Sequence, residues 1–139
     1  MLVSMRYPTR HAFLDRLAPE ERARLAPRLS FVTLEVGQLL FEAGRPMSAV
    51  YFPVTAQVEE VLPMSDDTMA VLRRIQADGL VGSCVLGDPL AARTARVSQA
   101  GEAFLMGFDD FVRTLEEWSD FREWVMQDAM RACVSLAQI

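Results

Sequence analysis

Residue types that bind phosphate groups lie close together between Gly79 and Thr94. Gly79 and Gly82 let the backbone approach a ligand closely, and Ser83 could begin a short helical turn whose N–H groups face an anion. Arg93 can hold two oxygens of one phosphate, and Thr94 adds a hydroxyl donor. The pattern indicates an anion site, although a simple turn followed by a strand with an arginine would have the same residues.

Other residues with chemical potential are few. The chain has one histidine, His11, and two cysteines, Cys84 and Cys133. Metal sites need several histidines or carboxylates, and a cysteine nucleophile needs a nearby base. We therefore expect neither an enzyme nor a cofactor. Both cysteines are interpreted as small buried apolar residues, and His11 as an ordinary surface residue.

Composition limits the partners and the location. Of the 139 residues 51% are hydrophobic, which is enough for one domain with a core. A formal net charge of −5 argues against binding of a nucleic-acid backbone by this chain alone. The apolar runs are shorter than the roughly 18–20 residues of a membrane span, and the N-terminus has no secretory apolar core. A cytoplasmic protein without membrane contact is predicted.

The chain divides into three parts within a single domain over residues 1–139. Residues 10–29 form a helical lead-in, 30–107 a β-barrel, and 108–139 the C-terminal helices. Short apolar runs such as FVTLEV, AVYFPV, MAVLRRI and AFLMGF alternate with turn signals that contain glycine, proline or aspartate. This spacing predicts a small antiparallel barrel or jelly roll.

The last helix has two neighbouring apolar stripes. One follows the 4-3-4-3 spacing of a coiled-coil seam, at Val125, Ala129, Ala132, Leu136 and Ile139. The other runs beside it, at Met126, Met130, Cys133 and Ala137. So wide an apolar arc predicts a homodimer through this helix, although a helix wholly buried in its own domain would have the same pattern.

Three motifs taken together carry a family resemblance. They are the G-x-x-L-x-x-x-G-x-x-x-x-x-x-Y-F-P run from Gly37 to Pro53, DGLVG at Asp78 to Gly82, and RTARVSQAGEAF at Arg93 to Phe104. From about Phe13 to Ile139 the chain resembles the cyclic-nucleotide-binding domain of Crp/Fnr bacterial transcription regulators. The resemblance implies a mainly β fold with flanking helices: a double-stranded β-helix (jelly-roll) barrel followed by a long C-terminal dimerisation helix.

The resemblance also assigns a ligand site. Gly82 matches the glycine that opens the family's phosphate-binding cassette, Arg93 its phosphate-binding arginine and Thr94 the hydroxyl residue beside it, with Ser83 and Cys84 completing the site. Cyclic-AMP-binding members have a ribose-binding glutamate where this chain has Ser83. Losing one hydrogen bond to a charged group weakens binding by roughly 10- to 150-fold. A cyclic nucleotide, another small anionic ligand and a pocket that has lost its ligand all remain open.

The family's regulators continue from the dimer helix into a helix-turn-helix domain, whereas this sequence stops at Ile139. DNA contact is therefore expected only through a domain that the sequence does not contain. The predicted function is an effector-sensing domain that signals through its dimer helix. The alternative is a stand-alone or degenerate module that serves as a dimerisation or protein-interaction scaffold without ligand.

Charged residues near the candidate site should divide between the two faces of the sheet. Strand alternation places Arg93 and Arg96 on opposite faces, so that Arg96 is solvated. Of Glu59 and Glu60, one should face outward, and the other could enter the pocket and oppose an anionic ligand.

Overall fold

The computed structural model describes the backbone of residues 9–82 and 90–137 and the side chains as far as residue 131. The helices are α1 (Ala12–Asp15), α2 (Pro19–Leu25), a 3₁₀ turn (Ala26–Arg28), α3 (Phe108–Glu117) and α4 (Ser119–Ala137). The strands are β1 (Leu29–Leu34), β2 (Leu39–Phe41), β3 (Ala49–Pro53), β4 (Gln57–Pro63), β5 (Met69–Ile75), β6 (Thr94–Gln99) and β7 (Gly101–Gly107).

Within the described residues the strands form two antiparallel sheets. One has the order β1-β7-β3 and the other the order β2-β6-β4-β5. Strand β1 pairs with β7 from Leu29↔Met106 to Leu34↔Gly101, so the two ends of the strand region lie side by side. A mainly β architecture with C-terminal helices is thus confirmed.

Strand β3 separates two apolar cores. All five of its residues are buried, because it faces the helices on one side and the barrel interior on the other. Val50 and Phe52 belong to the helical side, whereas Ala49 and Tyr51 belong to the barrel side. This period-two alternation is that of a strand covered on both faces.

The segment before β1 consists of α1, α2 and the 3₁₀ turn. Pro19 occupies the first turn of α2, where its missing N–H costs nothing. The Ala18 N–H donates to Glu21 Oε1 at 2.9 Å, which satisfies a backbone donor at the start of the helix. Pro27 lies in the 3₁₀ turn that ends the segment and leads into β1. The lead-in is therefore anchored directly beside the first strand.

The C-terminal helices cover the three-stranded sheet with aromatic side chains. The rings of Trp124 and Phe13 stack with centroids 4.2 Å apart, and Trp124 also stacks on Phe52 at 6.0 Å. Phe111 and Phe121 are fully buried in the same cluster. Burial of each such side chain contributes roughly 1.5–3 kcal/mol. Trp124 thus joins the lead-in, β3 and α4 into one core.

No helix in the described part of the chain has both the length and the apolar character needed to cross a membrane.

Candidate functional site

Gly82 has a backbone conformation that explains why glycine stands there. Its φ is +112°, and a Cβ at this position would lie 2.8 Å from Val50 Cγ1. The preceding residue is fixed by two hydrogen bonds between the backbones of Val81 and Tyr51, at 2.9 and 3.2 Å. The backbone of Val81 and Gly82, at the end of the glycine-rich stretch of residues 79–82, is therefore held directly against β3. Ser83 and Cys84, which complete the predicted site, lie outside the described residues.

Arg93 is buried at 4% exposure, immediately before β6. Its Nη1 atom donates to Oε1 of Glu60 at 3.4 Å. An arginine this deeply buried must be paired with carboxylates or other acceptors, because leaving its charge uncompensated is very unfavourable. The burial of Arg93 is consistent with the predicted anion-binding role, and the contact with Glu60 shows that a carboxylate fits beside it.

Thr94 connects β6 to the turn after β2. Its Oγ1 accepts a hydrogen bond from the Ala43 N–H at 3.0 Å, and the adjacent Gly44 N–H donates to Ala91 O at 2.8 Å. Gly44 has a φ of +80°, which suits glycine. This part of the predicted ligand site therefore also has a structural task, which is to close the barrel between β2 and β6.

Glu60 is the charged group that the predicted donors surround. It lies on β4, is 0% exposed, and its carboxylate accepts a hydrogen bond from Arg93, while the nearby backbone N–H of Gly82 favours its ionised form. Arg73 stands directly opposite on β5. Burial raises the pKa of the Glu60 carboxyl above its usual value, even though Arg73 and Arg93 favour the ionised form. The backbone of Gly82 and the side chain of Arg93 thus converge on one carboxylate position.

The neighbouring Glu59 faces the other side of the sheet. It contacts Arg96 Nη2 at 3.3 Å and Arg74 Nε at 3.6 Å, and these arginine side chains are 37% and 70% exposed. Arg96 therefore lies on the outer surface and away from Arg93, as the strand alternation predicted. Of the two glutamates, the one that enters the interior is Glu60.

A second buried pair lies next to Glu60 and reaches α4. Arg73 holds Asp128 with two hydrogen bonds, Nη2 to Oδ1 at 2.6 Å and Nη1 to Oδ2 at 3.0 Å. Asp128 is 0% exposed and also accepts from Arg131 at 3.0 Å. A Cβ on Gly79 would lie 3.0 Å from Arg73 Nη2, so the glycine-rich stretch packs against this pair. A chain of charged groups therefore leads from Arg93 through Glu60 and Arg73 to α4.

The interpretation of His11 as a surface residue was wrong. His11 is 0% exposed, and its Nε2 lies 2.8 Å from the Gly79 carbonyl oxygen, to which it donates in the neutral form. Burial lowers its pKa, although the hydrogen bond to Gly79 acts in the opposite direction. Nδ1 has no hydrogen-bond partner within the described part of the chain. The burial arises from a long-range contact, since the Ala12 N–H donates to Ala77 O at 2.7 Å and draws the lead-in over the barrel.

The two apolar stripes of α4 have different surroundings. Val125 and Ala129 of the predicted coiled-coil seam are 0% and 6% exposed and pack on the chain's own core or next to it. Met126 and Met130 of the neighbouring stripe are 48% and 66% exposed. In the part of α4 with described side chains, the stripe open to a partner is therefore the methionine stripe, and the seam residues are internal.

Arg73 and Asp128 did not stand out in the sequence, although one signal was present. Asp128 falls at helical spacing from Phe121, Trp124 and Val125, so a charged side chain lies on the buried face of α4. A carboxylate at such a position requires a buried cationic partner. The partner itself could not be named, because Arg73 is 55 residues away in sequence.

Groups of three or more histidine, cysteine, aspartate or glutamate side chains that could hold a metal ion are absent from residues 9–82 and from the described side chains after residue 89.

Comparison with solved structures places this fold. The N-terminal domain of a transcriptional regulator from Streptomyces coelicolor A3(2) has a TM-score of 0.65 and 22% identity, over 93% of this chain and 92% of that one. A cyclic nucleotide-binding domain from Methylobacillus flagellatus has a TM-score of 0.66 and 12% identity, over 88% of this chain and 69% of that one. The catabolite activator protein of Thermus thermophilus has 0.72 and 16%, over 88% of this chain and 58% of that protein.

No family model and no curated protein matches the sequence. At these identities the solved structures show the fold alone. The fold is that of the cyclic-nucleotide-binding domains of Crp/Fnr-type regulators, as the three sequence motifs predicted.

Proposed function

We propose that this chain is an effector-sensing domain of a Crp/Fnr-like regulator. It binds a cyclic nucleotide or another small anionic ligand at Arg93 and Gly82 and signals through α4. The observation that carries the proposal is the buried Arg93 guanidinium, which holds the Glu60 carboxylate at 3.4 Å beside the backbone of Gly82. A buried guanidinium that holds a carboxylate has the chemistry that a phosphate or carboxylate ligand requires.

A route for the signal is supported by the contiguous charged groups. Glu60 contacts Arg93 and stands opposite Arg73, and Arg73 holds Asp128 on α4. A ligand that changes the charge around Arg93 therefore acts on groups that fix α4 to the barrel. A shift in the position of α4 is the form in which occupancy would be passed on.

The partner in this proposal is a second copy of the chain. The exposed Met126 and Met130 form one stripe on α4, and the sequence continues the same spacing at Cys133 and Ala137. Pairing of this stripe between two copies would remove the methionines from water. If a helix-turn-helix domain is attached, this pairing would set the spacing of its two copies on DNA.

The test is thermal unfolding against cyclic AMP, cyclic GMP, cyclic dinucleotides and 2-oxoglutarate. A ligand that binds only the folded state at ~100 times its Kd adds about 2.7 kcal/mol of stability. For a chain of this size that is a rise of roughly 10 °C in the midpoint. The proposal expects such a rise for at least one compound, absent in Arg93→Ala and kept in the outward-facing control Arg96→Ala. Each variant is compared with its own ligand-free midpoint.

A second candidate is a module that keeps the fold as a dimerisation or interaction scaffold and binds no small ligand. It is favoured by one observation, which is that the carboxylate held by Arg93 and Gly82 belongs to the chain itself. The same experiment distinguishes the two functions. No midpoint shift with any compound, together with a persistent dimer, would favour the scaffold.

A further inference from the structure

The position at which Arg93 and Gly82 would hold an anionic ligand is occupied by the Glu60 carboxylate. Glu60 is completely buried and accepts a hydrogen bond from Arg93 at 3.4 Å, the Gly82 N–H favours its ionised form, and Arg73 lies opposite it on the adjacent strand. An incoming phosphate or carboxylate would need the same N–H groups. The ligand and the ionised Glu60 therefore compete for the same donors.

The charges around this position are already balanced. Among the described side chains, the buried cations Arg73 and Arg93 are matched by the buried carboxylates Glu60 and Asp128, each at most 11% exposed, and the more exposed Arg131 contacts Asp128 from the surface. A further anion would make the buried cluster net negative, and uncompensated charge is strongly unfavourable away from water. Ligand binding therefore requires that one negative charge be lost from the cluster.

We propose that Glu60 is an internal occupant of the anion site, which competes with the ligand and takes up a proton from solvent when the ligand binds. The inference rests on the proposed function and concerns the regulation of the same site. In the bound state the neutral Glu60 carboxyl donates its O–H to a ligand oxygen instead of accepting from Arg93. The site then binds anions more tightly as pH falls, until the ligand itself is protonated.

The surroundings of Glu60 fit this exchange. Within the described residues, the charged groups that act on it are Arg73 from β5, Arg93 from the start of β6 and Asp128 from α4. Burial and the negative charge of Asp128 raise the pKa of Glu60, whereas the two arginines lower it. When a ligand binds Arg93 in place of Glu60, Arg93 no longer lowers the pKa of Glu60. Protonation of Glu60 then becomes more favourable because the ligand adds a negative charge.

The experiment compares wild type, Glu60→Gln, the outward-facing control Glu59→Gln, and Glu60→Gln combined with Arg93→Ala. Binding of cyclic AMP and of inorganic phosphate is measured by isothermal titration calorimetry at pH 6, 7 and 8. Buffers with different ionisation enthalpies report the protons taken up. Glutamine keeps the shape of the side chain and removes the competing charge.

We expect Glu60→Gln to bind at least tenfold more tightly than wild type at pH 8 and to show no proton uptake. Wild type and Glu59→Gln should take up about one proton on binding cyclic AMP, whose phosphodiester does not titrate between pH 6 and 8, and should lose affinity as pH rises. Addition of Arg93→Ala should abolish binding. Tight binding of phosphate by Glu60→Gln would identify the phosphoryl group as sufficient, whereas binding of cyclic AMP alone would show that the nucleoside is needed.

Equal affinities of wild type and Glu60→Gln, with no proton uptake and with binding lost when Arg93→Ala is added to Glu60→Gln, would overturn the competition and leave the proposed function intact. Absence of binding in every variant would overturn both. If Glu60→Gln does not fold, as judged by circular dichroism, the proton count of wild type decides. Uptake supports the proposal, and its absence refutes it.

Discussion

Glu59 and Glu60 are adjacent in sequence and face opposite sides of one strand, where each lies between two arginines. Glu59 contacts Arg74 and Arg96 at the surface. Glu60 lies inside with Arg93 and Arg73. Salt bridges at the surface contribute little to stability, whereas loss of one partner of a buried pair is strongly destabilising. The charges around Glu60 therefore affect the stability of the domain more than those around Glu59.

The pair formed by Arg73 and Asp128 should be essential for stability. Asp128→Asn leaves the Arg73 charge without its carboxylate at a site that is almost dry. Loss of one partner of a buried ion pair costs about 3–5 kcal/mol in the free energy of unfolding. Urea denaturation checks this, with the exposed Glu123→Gln on the same helix as a control that should change stability by less than about 0.5 kcal/mol. Equal effects of the two variants would show that the pair does not hold α4 to the barrel.

Gly82 should tolerate alanine less well than Gly44 does. Both have positive φ, so both variants incur backbone strain of roughly 1–2 kcal/mol. Only Gly82→Ala also places a Cβ 2.8 Å from Val50, whereas a Cβ at Gly44 meets nothing within 4 Å. We expect thermal unfolding to show the larger loss for Gly82→Ala. The prediction is contradicted if Gly44→Ala is the less stable variant.

His11 should make the domain sensitive to acid. Its pKa is lowered from 6.5 in the folded state, so below about pH 6.5 the unfolded chain binds a proton that the folded chain does not. Stability therefore falls as pH decreases through this range, by at most about 1.4 kcal/mol per pH unit for one proton. His11→Gln keeps a donor for the Gly79 carbonyl and removes the titration.

The measurement for His11 is the free energy of unfolding of both proteins between pH 7.5 and 5. The difference between His11→Gln and wild type should grow in favour of the variant as pH falls. Glu60 acts in the opposite direction, because its pKa is raised and its contribution is lost as pH increases. Glu60 is present in both proteins and cancels in the comparison. Parallel pH curves would contradict the prediction, because they would show that folding does not change the protonation of His11 in this range.

The methionine stripe of α4 should control association of two chains. Met126→Glu with Met130→Glu places two negative charges on the exposed apolar surface, while the buried Val125 and Ala129 are unchanged. Sedimentation equilibrium should show that the dissociation constant of the dimer rises at least tenfold, so that the monomer becomes the main species. The control is Gln127→Glu, which adds one charge beside the stripe. An unchanged dimer in the double variant would rule out this surface as the interface.

Local signals in the sequence were sufficient for the fold. Gly37 and Gly44, the turn glycines of the longest motif, have φ of +85° and +80°, so their identity reports a backbone conformation directly. Strand β3 could be recognised because its apolar run is uninterrupted. The predicted lead-in, barrel and terminal helices therefore appear in order. The resemblance supported the same fold independently.

The parts that could not be predicted depend on contacts between distant residues. The sequence suggested that one of the two glutamates could enter the pocket, but the bulge after Glu60 and the position of Arg93 before β6 decide which donors it meets. His11 was wrongly expected at the surface because its burial follows from a long-range contact, the hydrogen bond from the Ala12 N–H to the Ala77 carbonyl, which the sequence does not reveal. The sequence could not show whether Val125 packs inside its own domain or in a dimer seam, because both positions require an apolar residue.

The pairing of β1 with β7 sets the order in which the protein can be completed during synthesis. Leu29 pairs with Met106, so β1 leaves the ribosome 77 residues before its partner. At ~5–20 residues per second this is a delay of about 4–15 s. Throughout that time the hydrogen-bonding edge of β1 and the apolar Phe31 have no neighbouring strand from the three-stranded sheet. During synthesis β1 is therefore an unpaired strand edge, a feature that promotes aggregation, until β7 emerges.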